Sequence, residues 1–296
     1  TEYIGEPEGA LKTIIDKLGI QPREIPSPSD VHYHKGKFYY GDDGIALQMI
    51  QESSLTEYNR FVDTIKNTFA EYEDIPELDM NSAVAKLDNV TVREWFDQNK
   101  FPEIFKQIYN VSAKGLFGAN IDEISALSYL SEIYFDYENS KPIASVDELE
   151  NSDVQGKDRT YTYSFSTGIT EVTDALAKAL GNKVQPNSAV ASVVKDKNGY
   201  TVSYMDGSGK SQTLTSRLVI LAVPAPIVLQ VAASVLKDEQ KSILGQVSYS
   251  SYATAALFSD GPIFNKGFDL AVPDGYFFTD VYDSTWVQRR YDSSLQ

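Results

Sequence analysis

The run Leu218-Val219-Ile220-Leu221-Ala222-Val223, stopped by Pro224, constrains this chain more than any other stretch. Apolar residues in sequence without alternation predict a strand covered on both faces, as in the parallel sheet of a layered α/β domain. The residues leading into it fit that reading. Tyr161 to Phe165 predicts an aromatic strand, Thr167-Gly168 a turn, and Val172, Leu176, Ala179 and Leu180 fall at helical spacing. Gly181-Asn182, a pair that tolerates left-handed dihedrals, stops that helix, and Val184 opens a short strand cut by Pro186. Residues 189–195 and 199–205 predict a hairpin around Lys197-Asn198-Gly199, with a second turn at Asp206-Gly207-Ser208-Gly209 and a return at Gln212 to Leu214. This order of strand, helix, strand, meander and buried strand fits half of a dinucleotide-type domain. Its phosphate-binding end is missing: no Gly-x-Gly-x-x-Gly occurs, and the pair Gly115 and Gly118 does not supply one.

The flanking segments alternate between helical and extended patterns. Pro7 to Leu18 predicts a helix with Leu11, Ile14, Ile15 and Leu18 on one stripe, closed by Gly19. Pro22, Pro26 and Pro28 predict an extended connector, and Val31 to Tyr40 a small hairpin around Gly36. His32 and His34, the only histidines, would share a face of that strand. Imidazoles suit zinc or copper, but a closed structural site takes about four ligands and no third is signalled nearby. A solvated strand face is therefore expected, and no metal.

Leu55 to Tyr72 predicts a helix with Tyr58, Val62, Ile65 and Phe69 buried, followed by an acidic solvated loop at Glu71 to Asp79. Thr91 and Glu94 predict a capping box opening the helix Val92–Asn99. A second helix starts at Phe101-Pro102 with Ile104, Phe105, Ile108 and Tyr109 apolar. A turn follows at Gly115 to Asn120, then a third helix from Ile121 to Phe135. Asn139 to Arg159 is polar and predicts a mobile loop. Beyond Pro224, helices are expected at Ala225 to Val235 and Lys237 to Leu244, and strands at Ser248 to Phe258, Phe268 to Val272 and Phe277 to Tyr282.

A chain of 296 residues, 42% hydrophobic and 23% charged, is long enough for a sizeable core in one large or two ordinary domains. Cysteine is absent, which removes disulfides, thiolate metal sites and cysteine nucleophiles. A net charge of −16 argues against nucleic acid, and against charge-driven binding to anionic membranes. No stretch predicts a transmembrane segment, and the charges throughout residues 1–20 predict no signal peptide. Tyrosine is abundant, at 19 residues against 2 tryptophans. Tyrosines can line a substrate cavity with an apolar body and a polar tip, although most are expected at core edges.

The segment Thr167-Gly168-Ile169, the helical Val172, Leu176, Ala177 and Leu180, Val184, Val190-Ala191-Ser192-Val193, Gly199-Tyr200-Thr201-Val202 and Leu218 to Pro224 together resemble the central region of the flavin-containing amine oxidase superfamily. That group includes monoamine and polyamine oxidases, protoporphyrinogen oxidases and phytoene-type desaturases. Thr167 stands where the family pattern has the first glycine of its turn. The helix ending Leu18-Gly19-Ile20 before a hairpin, and the run Asp122 to Ala126, extend the resemblance toward the N-terminal side.

The resemblance implies an α/β plus α+β fold: a partial FAD-binding, Rossmann-like domain with a β-meander, and a discontinuous substrate domain of mixed sheet and helices. Residues 1–23 would end the N-terminal flavin-domain region. Residues 24–158, with a helical block at 91–135, would form the first segment of the substrate domain, residues 159–224 the FAD-domain segment, and residues 225–296 the second segment of the substrate domain. It implies an FAD-dependent oxidoreductase acting on an amine, a porphyrinogen or a polyene by hydride transfer to flavin. Four cofactor-binding residues carry over: Val190, giving main-chain hydrogen bonds near the adenine; Ala222 and Pro224, at a strand end near the adenosine half; and Gly168, in the turn beside the flavin. Their plain structural readings are core strand, strand stop and turn. No catalytic side chain carries over, though Tyr161, Tyr163 and Phe165 precede the turn and could line a cavity.

With the glycine motif and the C-terminal flavin segment unmatched, and Thr1 as its first residue, the chain is expected to be an internal fragment, inactive alone. FAD would belong to the parent protein and be absent from this chain. A cytoplasmic location or peripheral membrane contact is expected. Two other readings stay open on the residues alone: a non-catalytic domain whose tyrosine-rich groove holds a lipid or partner, and an unrelated α+β enzyme.

Overall fold

In the computed structural model, which describes residues 3–25, 30–70, 84–149, 162–261, 263–264, 266–273, 276–292 and 294, short strands alternate with helices. The order is α1 (Gly9–Leu18), β1 (Arg23–Ile25), β2 (Asp30–His34), β3 (Lys37–Tyr40), α2 (Gly41–Gln51), α3 (Leu55–Phe69), α4 (Val92–Gln98), α5 (Glu103–Phe117), α6 (Ala126–Tyr137) and β4 (Thr162–Ser164). Then come α7 (Thr170–Leu180), β5 (Ala189–Asp196), β6 (Gly199–Met205), β7 (Ser211–Ser216), α8 (Ala225–Ala232), α9 (Asp238–Gln246), β8 (Asp269–Ala271) and β9 (Asp280–Tyr282). Two compact units result: Thr1–Val172 with Tyr252–Gln296, and Thr173–Ser251.

Aromatic packing holds the helical region of the first unit. The predicted stripe of α3 is buried as Tyr58, Val62, Ile65 and Phe69, and Phe61 joins it. Phe61 is wholly buried, and its ring centroid lies 5.2–5.8 Å from those of Phe96, Phe101, Phe105, Tyr109 and Tyr137. Offset and edge-on contacts at such separations stabilise beyond the apolar area they bury. The capping box forms: the Glu94 amide donates to Thr91 Oγ1 at 3.2 Å, and the Thr91 amide donates to Glu94 Oε2 at 2.8 Å. Arg60 places its guanidinium 4.2 Å above the Phe101 ring, which ties α3 to the start of α5.

Several boundaries differ from expectation. Helix α5 runs through Gly115 to Phe117 and ends on Gly118 in the left-handed region, so the turn begins later. Residues 121–125 are not helical, because they pair with the opening of α4: the amides of Val92 and Arg93 donate to the carbonyls of Ile124 and Ile121. Residues 139–149, expected to be mobile, are pinned to α3. Asn59 bonds Ile143 in both directions at 2.9 and 3.0 Å, and Lys66 Nζ donates to Ser140 O. The rest of that loop, the acidic loop at 71–79, and Pro26, Pro28, Tyr72 and Tyr161 lie outside the described residues.

Helix α2 has no counterpart among the expected elements. It follows β3 without a connector and lies so close that a Cβ on Gly44 would come 2.6 Å from the Tyr39 carbonyl carbon. Beneath it is a four-stranded sheet in the order β3-β2-β8-β9. The β2–β3 hairpin is antiparallel, as expected, while β2 and β8 pair in parallel. A separate ladder joins β1 to β4.

In the second unit, β5, β6 and β7 form the expected meander. Val193 and the α8 residues Val228, Val231 and Ala232 make its buried centre. Here the sequence expectation needs correcting: neither Val184 nor Leu218 to Val223 forms a strand. Val219 and Leu221 pack against the α8 cluster, but Leu218 and Ile220 are 71% and 82% exposed. The run is thus covered on one side only, because no described strand lies alongside to complete its backbone ladder. Ser248 to Phe258 also forms no strand, and Phe258 is 93% exposed.

Phe61→Ala should destabilise the chain by about 3–5 kcal/mol, as for large aromatic truncations in a packed core. Chemical denaturation of the two proteins measures it. A change in the range of about ±0.5 kcal/mol typical of surface substitutions would show that the aromatic cluster is not the organising core.

Candidate functional site

Side chains alternate across a strand, so the register of the four-stranded sheet shows which residues share a face. Asp30 on β2 is opposite Asp269 on β8, and Asp269 is opposite Tyr282 on β9. Two residues further along that face, Tyr39, His32, Ala271 and Asp280 form the adjoining row. Two acids therefore sit side by side on neighbouring strands, a third lies diagonally, and the small Ala271 occupies the place between His32 and Asp280.

The electrostatics of the face are one-sided. Burial, then the charges of Asp30 and Asp280, push the Asp269 carboxyl up to about 7. Burial, then Asp42 at the start of α2, push Asp30 up to about 6. Asp30 nevertheless keeps solvent access at the start of β2. Asp136 on α6 is likewise pushed up to about 6, by burial and then by Asp42 and Glu132. Tyr3, near both Asp30 and Asp269, is pushed up to about 12, chiefly by burial. Among the described residues no ion pair includes Asp30, Asp269 or Asp280. Asp269 Oδ1 is buried without a hydrogen-bond partner.

The two histidines are buried under α2, at 8% and 2% exposure, which corrects the expectation of a solvated face. Burial brings His32 down to about 4, so it is neutral near pH 7. It lies beside the wholly buried Gln48, yet neither His32 Nδ1 nor the Gln48 amide atoms make a well-formed hydrogen bond. His34 Nε2 stands 3.7 Å from Glu52, which Lys35 also pairs at 2.6 Å. Among the described residues no group of three His, Cys, Asp or Glu is placed to hold a metal ion.

The residues expected at a nucleotide are distributed differently. Gly168 has φ +86°, a conformation that makes glycine the natural choice, and its turn is closed by Thr167 N and Oγ1 donating to Glu171 Oε2. Val190 is 44% exposed on β5, which among the described strands pairs only with β6 and carries a register irregularity between Val190 and Ser192. The other edge of β5 therefore has no strand partner among the described residues. Ala222 is exposed in the non-strand run, and Pro224 precedes α8 as its N-cap. Val190, Ala222 and Pro224 lie in the second unit and Gly168 in the first. Of the aromatics before the turn, Phe165 is core at 1% exposure, and Tyr163 lines a recess of about 260 Å³ with Pro7, Ile15, Ile20 and Pro22.

The residues present fit an FAD only in part. The open edge of β5 suits main-chain bonding to the adenosine end, but no glycine-rich Gly-x-Gly-x-x-Gly turn is present to take the pyrophosphate. No helix among the described residues is long and apolar enough to cross a membrane.

The sequence pattern of the family described as flavin containing amine oxidoreductase matches residues 5–284. No curated protein matches the chain. Among solved structures, a putrescine oxidase double mutant is 20% identical with a TM-score of 0.57, covering 84% of this chain and 52% of its own. Wild-type putrescine oxidase bound to putrescine is 18% identical with a TM-score of 0.61, covering 96% of this chain and 60% of its own. An oxidoreductase from Methanosarcina mazei is 11% identical with a TM-score of 0.62, covering 98% and 62%. At these identities the likeness establishes the fold, a mixture of helix and sheet consistent with the flavin amine oxidases. The chain spans little more than half the length of the putrescine oxidase chains.

Carboxyls held above their ordinary value keep protons in the folded chain that the unfolded chain has lost, so ionising them destabilises the fold. For Asp30, Asp136 and Asp269 this contribution is lost as pH rises from about 4 through 7. Asp269→Asn should therefore raise the melting temperature by a few degrees at about pH 8 and much less at about pH 4. Equal shifts at both pH values, read by thermal denaturation, would overturn this account of the acidic face.

Proposed function

Because the chain belongs to the flavin-containing amine oxidoreductase family, we propose that it is a portion of an FAD-dependent oxidoreductase that oxidises an amine. The observation that carries the reading is the family match over residues 5–284. The acidic, tyrosine-flanked sheet face of the first unit supports an amine over a porphyrinogen or a polyene. FAD would supply the hydride-accepting chemistry when bound, and the residues of this chain would bind and orient the amine and exclude water. The fold alone does not select the substrate, since a fatty acid isomerase from P. acnes shares it with a TM-score of 0.57 at 13% identity.

In this reading, the unit built of 1–172 and 252–296 holds the substrate, and residues 173–251 belong to the nucleotide side. Val190 faces the adenosine end through its backbone, Ala222 and Pro224 adjoin it, and Gly168 turns the chain beside the flavin. The exposed half of Leu218 to Val223 supports the same assignment. Leu218 and Ile220 form an apolar surface on a segment without a strand partner, the surface a further sheet of the whole protein would cover. Without that sheet and its phosphate-binding turn, the isolated chain holds FAD poorly and turns over no substrate.

FAD titration tests this on two proteins: the 296-residue chain, and a chain extended to include a glycine-rich nucleotide motif. The extended protein should bind FAD and reduce it with an amine, while the shorter chain should purify without flavin absorbance. Flavin retained by the short chain sinks the incomplete-site reading. An extended protein that never binds FAD favours a non-catalytic domain. In the flavin-loaded protein, Val190→Ala should leave affinity almost unchanged, since a main-chain contact survives the substitution. Loss of most binding would remove Val190 from the adenosine role.

A further inference from the structure

We propose that Asp30 and Asp269, with Asp280 beside them and Ala271 as the floor, form a binding site for an alkylammonium group. The proposal deepens the amine-oxidising reading and rests on it for calling the ligand a substrate, though not for the binding itself. The first argument is the missing counter-charge. Adjacent strands lie about 4.8 Å apart, and the register sets the carboxyls of Asp30 and Asp269 on one face of such a pair. Asp280 follows on the third strand. The chain provides no cation in any described ion pair with the three. Like charges held this close are relieved by a retained proton or by a bound cation.

The second argument is the chemistry of the neighbours. Deeper along the same face, His32 has an unpartnered Nδ1 at 8% exposure, and the wholly buried Gln48 leaves its amide oxygen without a partner. Burial keeps the His32 imidazole neutral near pH 7, so its ring offers an acceptor nitrogen. Carboxylates and imidazole thus offer acceptors around Ala271, whose methyl side chain leaves room between His32 and Asp280, and the Gln48 amide lies beside His32. An ammonium group carries three donors, no acceptor and the missing charge. Tyr3 and Tyr252, both within the electrostatic reach of Asp269, add aromatic surface that favours a cation. A metal ion fits less well, since no three of these acids and histidines are arranged as a coordination set among the described residues.

Calorimetric titration of the 296-residue chain with n-butylamine, 1,4-diaminobutane, tetramethylammonium and magnesium tests the site without any flavin. Both amines should bind the wild type. Tetramethylammonium, a cation without N–H donors, should bind roughly tenfold more weakly, the value of a charge-assisted hydrogen bond. Asp30→Asn and Asp269→Asn should each weaken n-butylamine by roughly tenfold or more, while Asp238→Asn in the second unit should leave it unchanged. The wild type gives a second readout that needs no variant. The groups facing the pair are Asp42 from α2, His32 from β2, Asp280 and Tyr282 from β9, and Tyr3 and Tyr252. With Asp30 and Asp269 taking up protons, amine affinity should fall between about pH 8 and about pH 5.

Absence of amine binding by the wild type overturns the proposal. So do unchanged affinity in the Asp30→Asn/Asp269→Asn double variant, equal loss in Asp238→Asn, a flat pH profile, or magnesium binding as tightly as n-butylamine. Each of these leaves the flavin reading standing, since that is decided by FAD titration of the extended protein.

Discussion

Parallel pairing of β2 with β8 is the contact on which the first unit depends. It joins Asp30, near the start of the chain, to Asp269, near its end, with the whole second unit lying between them in sequence. Parallel neighbours cannot be joined by a tight turn and always need a crossover. Here the crossover includes an entire compact unit. Closing so long a loop costs only slowly more entropy as it lengthens, so the pairing is compatible with the size of the excursion. The helical core centred on Phe61 then supplies much of the apolar burial, and α2 lies over the sheet through the close approach at Gly44. Had β8 paired elsewhere, Asp30 and Asp269 would be ordinary surface acids.

The first unit gathers like charges at its margin, with Asp136, Asp42 and Asp30 exposed and Asp269 and Asp280 half-buried. The ladder from Asp136 through Asp42 and Asp30 to Asp269 and Asp280 crosses α6, α2 and three strands of the sheet. Asp136, Asp30 and Asp269 are each raised by burial first and by acidic neighbours second. This differs from the acids elsewhere in the chain, where the partners are donors: Glu52 is held down by Lys35, and Asp283 by Arg289 and Thr285 against the opposing effect of burial. Arrangements that disfavour the folded state and lack an internal remedy are concentrated at binding and catalytic sites. The strain of this face is therefore informative in a way that the overall charge of −16 is not.

Local chemistry is legible in the sequence wherever it is sufficient. The capping box of Thr91 and Glu94, the left-handed stop at Gly19, the buried stripe of α3 and the meander from Ala189 to Ser216 all follow from neighbours a few residues apart. Helix α2 escapes such reasoning because Gly41-Asp42-Asp43-Gly44 has the composition of a turn, and because its position is set by contact with β3 instead of by a strong apolar stripe. The acidic pair escapes it for a related reason. Asp30 and Asp269 are single acids in their own segments, and only strand register makes them a pair. The solvated face expected for the histidines fails because alternation shows which residues share a face, but not which face is covered.

The run at Leu218 to Val223 shows the same limit from the other side. Its composition is that of a strand buried on both faces, and the structure covers one of them, through Val219 and Leu221 against α8. A strand is a property of a pair: backbone N–H and C=O groups need a neighbouring ladder, which side-chain composition alone does not provide. The meander beside it does not extend to the run, and no other described strand is adjacent. The segment thus has the side chains of an interior strand and the backbone of a loop. That mismatch accords with a chain spanning 52% of a putrescine oxidase whose fold it otherwise shares. The acidic face of the first unit, by contrast, is built from that unit's own strands. Ligand binding at that face can therefore be studied apart from the cofactor, which ties the two halves of the proposed chemistry to separate physical requirements.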